Sequence, residues 1–138
     1  FHIGRSFYPA VSPVFEQSMA VFQEQFRISK EMALKSDCVI VGRCADYILK
    51  EYRPMRIFVY ADMESRMARC RAKAPEEEEM TDKELKQHIL GIDKKRAKYY
   101  EFYTGHKCGD KLNFDLCVNT SGIVIKEIVP GMAAMLKR

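Results

Sequence analysis

The sequence predicts an α/β protein with a doubly wound parallel sheet. Short apolar runs rich in β-branched residues alternate with longer stretches of helical periodicity, which is the pattern of a doubly wound sheet. The first two runs are each followed by arginines. Ligands of open α/β sheets bind beyond the carboxyl ends of the strands, so the same pattern predicts an anion site there.

The first predicted element is a long helix at 13–35. Ser12 is a suitable helix cap, and Pro13 suits the first helical turn. An apolar stripe at helical spacing, which we expect to face a sheet, consists of Phe15, Met19, Phe22 and Phe26. The residues before this helix, 1–11, are predicted to form an irregular, aromatic-rich lead-in.

A continuous apolar run, Cys38–Val41, predicts a strand that is covered on both faces. A short helix at 44–51 is expected to follow it, and the chain then passes through Pro54 to a second strand at 56–61. Asp62 is a suitable cap for a further helix at 63–73.

The second half of the chain repeats this alternation. Pro75 and the acidic run Glu76–Glu79 predict a solvated loop, and the capping box that starts at Thr81 predicts a helix through Tyr103. A polar loop at 104–110, a third strand at 115–119 and a closing helix at 123–136, kinked at Pro130, complete the prediction.

Length and composition limit the classes of protein that fit. With 138 residues, 47% hydrophobic and 30% charged, the chain is predicted to be one compact domain. The net charge of +4 is too small for a surface that is basic throughout, so no nucleic-acid partner is expected. No apolar run has the length of a membrane span, and the amino end lacks a signal-peptide layout. We therefore expect a cytoplasmic protein without a membrane partner.

The five cysteines predict reduced thiols rather than a disulfide framework. Their number is odd, no C-x-x-C pair occurs, and Cys38 and Cys117 lie in apolar runs predicted to be buried strands. The three histidines fall at no ligand spacing relative to these thiols, so no metal site is predicted.

Three arginines are the first candidates for binding phosphate. Arg43 follows Gly42 at the end of the first predicted strand, where a guanidinium could clamp a phosphate in a bidentate manner. Arg66 and Arg69 are three residues apart on the helix after the second strand and so lie on nearly the same face. The alternatives are a surface arginine at position 43 and a solvated, ion-paired helix face.

The basic run in Asp93–Tyr100 supplies further candidates. A helix cannot direct all four of its cations toward one ligand, and the set we favour is Arg96 with Tyr99 or Tyr100. Asp46 and Asp62, near strand ends, could hold Mg²⁺ or receive a proton from a substrate phosphate, but each could instead cap a helix.

In these segments the chain resembles the cytidylate kinase-like family of P-loop nucleotide kinases. The segments that carry the resemblance are Cys38–Leu49, Ile57–Ala61 with Arg66 and Arg69, Asp93–Tyr100, Thr104–Lys107 and Asp115–Thr120. The resemblance implies a P-loop kinase-like three-layer fold with a helical lid at about 66–98. It also implies ATP and Mg²⁺ as cofactors, and transfer of the ATP γ-phosphoryl group to CMP, dCMP or a related acceptor.

The resemblance also implies roles for individual residues. Arg43 would hold the phosphate of the acceptor, with Asp46 nearby as a further substrate contact. Arg66 and Arg69 would approach the phosphates of both nucleotides from the first helix of the lid. Arg96 would reach in from the second helix, with Tyr99 beside the substrate. Arg43 and Arg96 are the predicted catalytic cations.

The chain departs from the family pattern at two places. No G-x-x-x-x-G-K-[ST] phosphate loop occurs in these residues, and Cys108 follows Thr104–Lys107 where the family usually has tryptophan. The leading hypothesis is a nucleoside monophosphate kinase whose amino-terminal part is missing from this sequence. The alternative is a nucleotide sensor or pseudokinase without catalytic activity. A homodimer is an open option, and an RNA-binding module is disfavoured by the small net charge.

Overall fold

The computed structural model describes the backbone of residues 13–73 and 79–136, and the side chains from residue 16 onward within those ranges. The chain divides into two compact units, Phe1–Pro54 and Met55–Arg138. The predicted lead-in at 1–11, the Ser12 cap and most of the acidic loop at Glu76–Glu79 lie outside the described residues.

The first unit is built on one long helix. Helix α1 spans Pro13–Lys35, which confirms the predicted helix, and it packs against α2, Ala45–Ile48. A single 3₁₀ turn at Lys50–Tyr52 follows, so the helix predicted at 44–51 is broken into two short pieces. Among residues 16–54, for which side chains are described, the buried ones are Ser29, Cys44, Ala45, Ile48 and Leu49.

The prediction of a strand at Cys38–Val41 is wrong. The segment has no regular secondary structure, and the side chains of Val39 and Val41 are 88% and 87% exposed. The described residues contain one sheet, of two strands, and this segment is not part of it. A β-branched apolar run forms a strand only where a neighbour pairs with its backbone, and periodicity alone cannot supply that neighbour. Cys38, predicted to be buried, is accordingly exposed.

The described part of the second unit contains the sheet and three α-helices. Its elements in chain order are β1 (Ile57–Tyr60), α3 (Met63–Lys73), α4 (Asp82–Thr104), a 3₁₀ turn (Lys111–Asn113), β2 (Leu116–Asn119) and α5 (Ile125–Leu136). The two strands are parallel, with Ile57 opposite Leu116 and Tyr60 opposite Asn119. Helices α3 and α4 pack together within the connection between the strands. Cys117 in β2 is exposed, against the prediction.

Local hydrogen bonds explain where the helices begin. The Oδ1 atom of Asp62 accepts a hydrogen bond from the Ser65 backbone at 2.7 Å, as predicted for a cap. Thr81 Oγ1 accepts from the Glu84 backbone N–H, and the Glu84 carboxylate accepts from the Thr81 backbone N–H. This capping box confirms the predicted start of α4. The helix continues through Gly91 and ends at Thr104, where Gly105, with a φ of +70°, forms the carboxyl-terminal cap.

The sheet is fixed at its amino-terminal edge by an ion pair. Asp115 accepts hydrogen bonds from the backbone N–H of Arg56 at 2.8 Å and from its guanidinium at 3.3 Å. On one face of the sheet, the Phe58 ring lies against Phe114 with ring centroids 5.0 Å apart. The structure thus confirms a mixed α/β fold with a parallel strand pair. The three-layer P-loop kinase arrangement stays a prediction.

The length and apolar character of the helices determine whether any of them could cross a lipid bilayer. Across residues 13–73 and 79–136, none combines the length with the apolar character needed to cross one.

The capping box provides a test of the α3–α4 region. Thr81→Ala removes the oxygen that accepts from the Glu84 N–H and is expected to lower the free energy of unfolding by about 1 kcal/mol. Thr81→Ser, which keeps that oxygen, is expected to stay within about 0.5 kcal/mol of the original chain. Urea denaturation followed by circular dichroism measures both. Equal destabilisation by the two substitutions would contradict a capping role.

Candidate functional site

Arg43 lies in a strained turn of the first unit. Gly42, Arg43 and Cys44 have consecutive positive φ angles of +69°, +57° and +59°. For residues other than glycine, this left-handed conformation costs roughly 1–2 kcal/mol each. Cys44 is buried, whereas the Arg43 side chain is exposed and makes no hydrogen bond or ion pair with any described residue. The turn therefore presents a cation to solvent from a constrained backbone.

Asp46 follows closely on the same segment. It lies half-buried in the first turn of α2, three positions after Arg43. The structure thus places both of the candidates predicted for the first unit within one short stretch of chain.

Arg66, on α3, pairs with Asp93 on α4. Its Nη1 and Nη2 atoms donate to the two carboxylate oxygens at 2.7 and 2.6 Å, and both side chains are about one-third exposed. The hydrogen bonds from Arg66 lower the pKa of Asp93 below its ordinary value, although burial opposes this shift. The same bonds raise the pKa of Arg66. The pair holds the two helices together.

Arg69, one turn further along α3, is held by three oxygens. Nη1 donates to Thr120 Oγ1 at 3.0 Å, and Nη2 donates to the backbone carbonyls of Thr120 and, at 3.1 Å, of Ile123. Thr120 is 1% exposed. Arg69 thus ties α3 to the chain immediately after β2, and these contacts occupy much of its donor capacity.

The loops after the two strands are joined to each other at the carboxyl-terminal edge of the sheet. The Thr120 hydroxyl donates to the Tyr60 carbonyl at 3.0 Å, the Asp62 N–H donates to Ser121 Oγ at 2.7 Å, and the Gly122 N–H donates to Ser65 Oγ at 3.0 Å. The hydrogen bond from the Ser65 backbone is the main reason that the pKa of Asp62 is lowered. Asp62 is thus a helix cap, the alternative that the sequence left open.

Arg96 and Tyr99 lie on α4 beyond Asp93. Arg96 is exposed, and its charge is close enough to contribute to the lowered pKa of Asp93. Tyr99 is half-buried with its ring centroid 4.6 Å from that of Tyr103. Within the second unit, the structure therefore pairs Arg66 with Asp93 and places the charge of Arg96 close enough to act on the same carboxylate.

In the part of the chain that the structure describes, no three His, Cys, Asp or Glu side chains lie close enough together to hold a metal ion. Asp62 already accepts hydrogen bonds. Protein-bound Mg²⁺ usually keeps several waters and takes other ligands from substrate phosphates. The described residues alone therefore do not form a site for the ion, and Mg²⁺ stays a prediction from the family resemblance.

Sequence reasoning missed two residues of this region. Asp93 was part of a basic run, but its partner Arg66 is 27 positions away, and no local pattern links them. Thr120 follows the predicted third strand and was named only as the last residue of the segment Asp115–Thr120 that carries the family resemblance. The polar run Asn119–Gly122 was the available signal, because such residues at a strand end commonly form hydrogen bonds with nearby loops.

Comparison with known proteins supplies the family. The model of the cytidylate kinase-like family matches residues 5–122, which is most of the chain. The chain belongs to the cytidylate kinase-like family. It is therefore a kinase-like protein, and the suspected resemblance is confirmed.

One solved structure shares the fold of this cytidylate kinase-like chain. The crystal structure of an uncharacterized protein from Eubacterium ventriosum ATCC 27560 is similar with a TM-score of 0.76 and 24% identity, covering 87% of this chain and 74% of that one. At this identity, the likeness supports the fold alone. A search of curated proteins found no match.

The Arg66–Asp93 pair predicts a pH dependence for the stability of this cytidylate kinase-like chain. Because the pKa of Asp93 is lowered in the folded state, its carboxylate stabilises the fold above the ordinary aspartate value, and this contribution is lost as the pH falls through the lowered value. Asp93→Asn is expected to lower the free energy of unfolding at pH 7 by about 0.5–1 kcal/mol, a range limited by solvent exposure.

Denaturant unfolding of both proteins between about pH 2 and 7 measures the effect, and the difference between them should shrink toward the acid end. A difference that stays constant over the whole range would show that the lost stability does not come from the ionised carboxylate.

Proposed function

We propose that this chain forms the acceptor-binding and lid portion of a nucleoside monophosphate kinase that transfers the γ-phosphoryl group of ATP to CMP, dCMP or a related acceptor. Membership of the cytidylate kinase-like family supports the reaction class. The exposed arginine in the strained Gly42–Cys44 turn carries the proposal for the acceptor site.

Backbone strain at Arg43 supports this role for a physical reason. Non-glycine residues in left-handed conformations persist only where the surrounding structure holds them, and they are concentrated at ligand-binding and catalytic sites. Here the side chain at the strained position is a guanidinium with no partner among the described residues. A guanidinium that is always charged and presents a planar fork suits a phosphate monoester.

The chemistry needs positive charge more than it needs a covalent catalyst. An oxygen of the acceptor phosphate attacks the γ-phosphorus, the bond to the β-phosphate bridging oxygen breaks, and ADP leaves with that electron pair. Arg43 would hold the attacking phosphate, while Arg66 and Arg96 would stabilise the charge that spreads over the transferring oxygens. Asp46 and Tyr99 remain proposed substrate contacts.

Arg69 occupies a different position among the proposed phosphate contacts. A phosphate could reach it only through the donor hydrogens that Thr120 and Ile123 leave available. Its contacts favour a supporting role, in which it fixes α3 and thereby the position of Arg66 one turn away.

A matched pair of arginine variants tests the proposed role of Arg43. Arg53 is also exposed and also left-handed, with a φ of +51°, so Arg43→Gly and Arg53→Gly each remove one cation and relieve similar strain. With CMP and dCMP as acceptors, Arg43→Gly is expected to reduce kcat/KM for ADP release by about tenfold or more, as for loss of a charge-assisted contact. Arg53→Gly is expected to change it by less than about threefold.

The outcomes separate the proposal from its alternative. Equal effects of the two variants would remove Arg43 from the site, and absence of ADP release with CMP, dCMP, UMP and AMP would remove the enzymatic proposal for this chain. Calorimetry then tests the alternative, a nucleotide sensor or pseudokinase without catalytic activity. Nucleotide binding without turnover would support it.

A further inference from the structure

The Arg66–Asp93 pair leaves one edge of the guanidinium available. A guanidinium has five N–H donors, and the carboxylate of Asp93 takes one from Nη1 and one from Nη2, approaching the end of the group. Nε donates to no acceptor in residues 13–73 and 79–136. The Arg66 side chain is 32% exposed, so it is in contact with solvent.

We propose that Asp93 is a positioning residue that orients Arg66, so that the Nε edge of the guanidinium is presented as a ready fork to a phosphoryl group of the nucleotide. The inference rests on the proposed function, because it assigns an orienting role within the phosphate site proposed there. It makes Asp93 neither a ligand of the nucleotide nor a catalytic base.

The geometry explains how a carboxylate can assist an anion site. Two parallel hydrogen bonds fix both the plane and the direction of the guanidinium, whereas a single contact would leave it free to rotate. The freedom of a long side chain is thus restricted before any ligand arrives, which is the general source of affinity in preorganised sites. The adjacent edge of the same planar group, formed by Nε–H and a remaining Nη–H, offers two further donors that no described residue accepts.

The local charge favours an incoming anion even with the carboxylate in place. Arg96, three residues after Asp93, is exposed and interacts electrostatically with it. Two guanidinium charges and one carboxylate charge leave a formal net charge of +1 in this cluster. These three groups therefore attract a phosphate group while the Asp93 carboxylate stays paired with Arg66.

The same pair of helices offers a matched control. Arg71 on α3 donates to Asp82 on α4 at 2.6 Å and to the Met80 carbonyl at 2.9 Å. Asp82 is 83% exposed, and no role in binding phosphate is proposed for it. Asp82→Asn therefore removes an ion pair between α3 and the start of α4 without changing the surroundings of Arg66.

The test measures binding of inorganic pyrophosphate and of CMP to the full chain by calorimetry, together with the Arg66 Nε–H resonance by NMR. In the original chain, both ligands are expected to bind and to shift this resonance. Asp93→Asn, which is nearly isosteric, is expected to weaken binding by about tenfold, and Asp82→Asn by less than about twofold. Circular dichroism checks that each variant remains folded.

A double-mutant cycle distinguishes orientation from a general structural effect. If Asp93 acts through Arg66, then Asp93→Asn should have no further effect on pyrophosphate binding in an Arg66→Ala background. Equal losses in both backgrounds would overturn the proposal. Unchanged or tighter binding by Asp93→Asn alone would also overturn it, because the carboxylate would then compete with the phosphate.

The result can be told apart from failure of the proposed function. Binding with the predicted losses, but without ADP release, would leave Asp93 in its role and remove only the kinase activity. If the chain releases ADP and Asp93→Asn leaves this turnover unchanged, the kinase activity would stand and the positioning role of Asp93 would be removed. If the original chain binds neither pyrophosphate nor CMP, the inference is wrong, whatever the turnover assay shows.

Discussion

The described part of the second unit depends on the arginines of one short helix, α3. Arg66 joins this helix to α4 through a bidentate ion pair, and Arg69 joins it to the end of β2 through three oxygens. Because the two residues are one turn apart, a single face of α3 fixes both neighbours. Each acceptor is a carboxylate, a hydroxyl or a backbone carbonyl, and the sheet formed by the described residues has two short strands. Polar contacts thus do much of the positioning that a larger sheet would provide by packing.

The helices were predictable because their signals are local. The Thr81–Glu84 capping box and the Asp62 cap lie within a few residues of the helices that they begin, and the structure contains both. Strand β1 was also predicted, since its β-branched run has a parallel partner in β2. Cys38–Val41 has similar composition but no partner in the described sheet. A sequence pattern indicates that a segment can form a strand, but it does not indicate whether a neighbouring strand is present to pair with it.

The sequence could indicate which residues are candidates for the site, but not the backbone conformation or the contacts that hold their side chains. The positions of Arg43, Arg66 and Arg96 followed from motif spacing, and the left-handed turn at Arg43 could not be derived from its sequence, because only Gly42 in that turn favours such a conformation. The pairing of Arg66 with Asp93 spans two helices and depends on how they pack. Long-range contacts of this kind arise from tertiary structure, which a single sequence does not specify locally.

Thr120 has a further consequence for how sequences in this family can vary. Its hydroxyl accepts from Arg69 while donating to the Tyr60 carbonyl, so one small side chain serves two neighbours at once. Serine could serve both, but an apolar residue would remove the side-chain acceptor of the half-buried Arg69 guanidinium, while the Tyr60 carbonyl would keep only its bond from the Thr120 backbone N–H. Homologues that lose the hydroxyl should therefore also replace the arginine. This shared hydrogen bond should therefore appear in an alignment of homologues as covariation between positions 69 and 120.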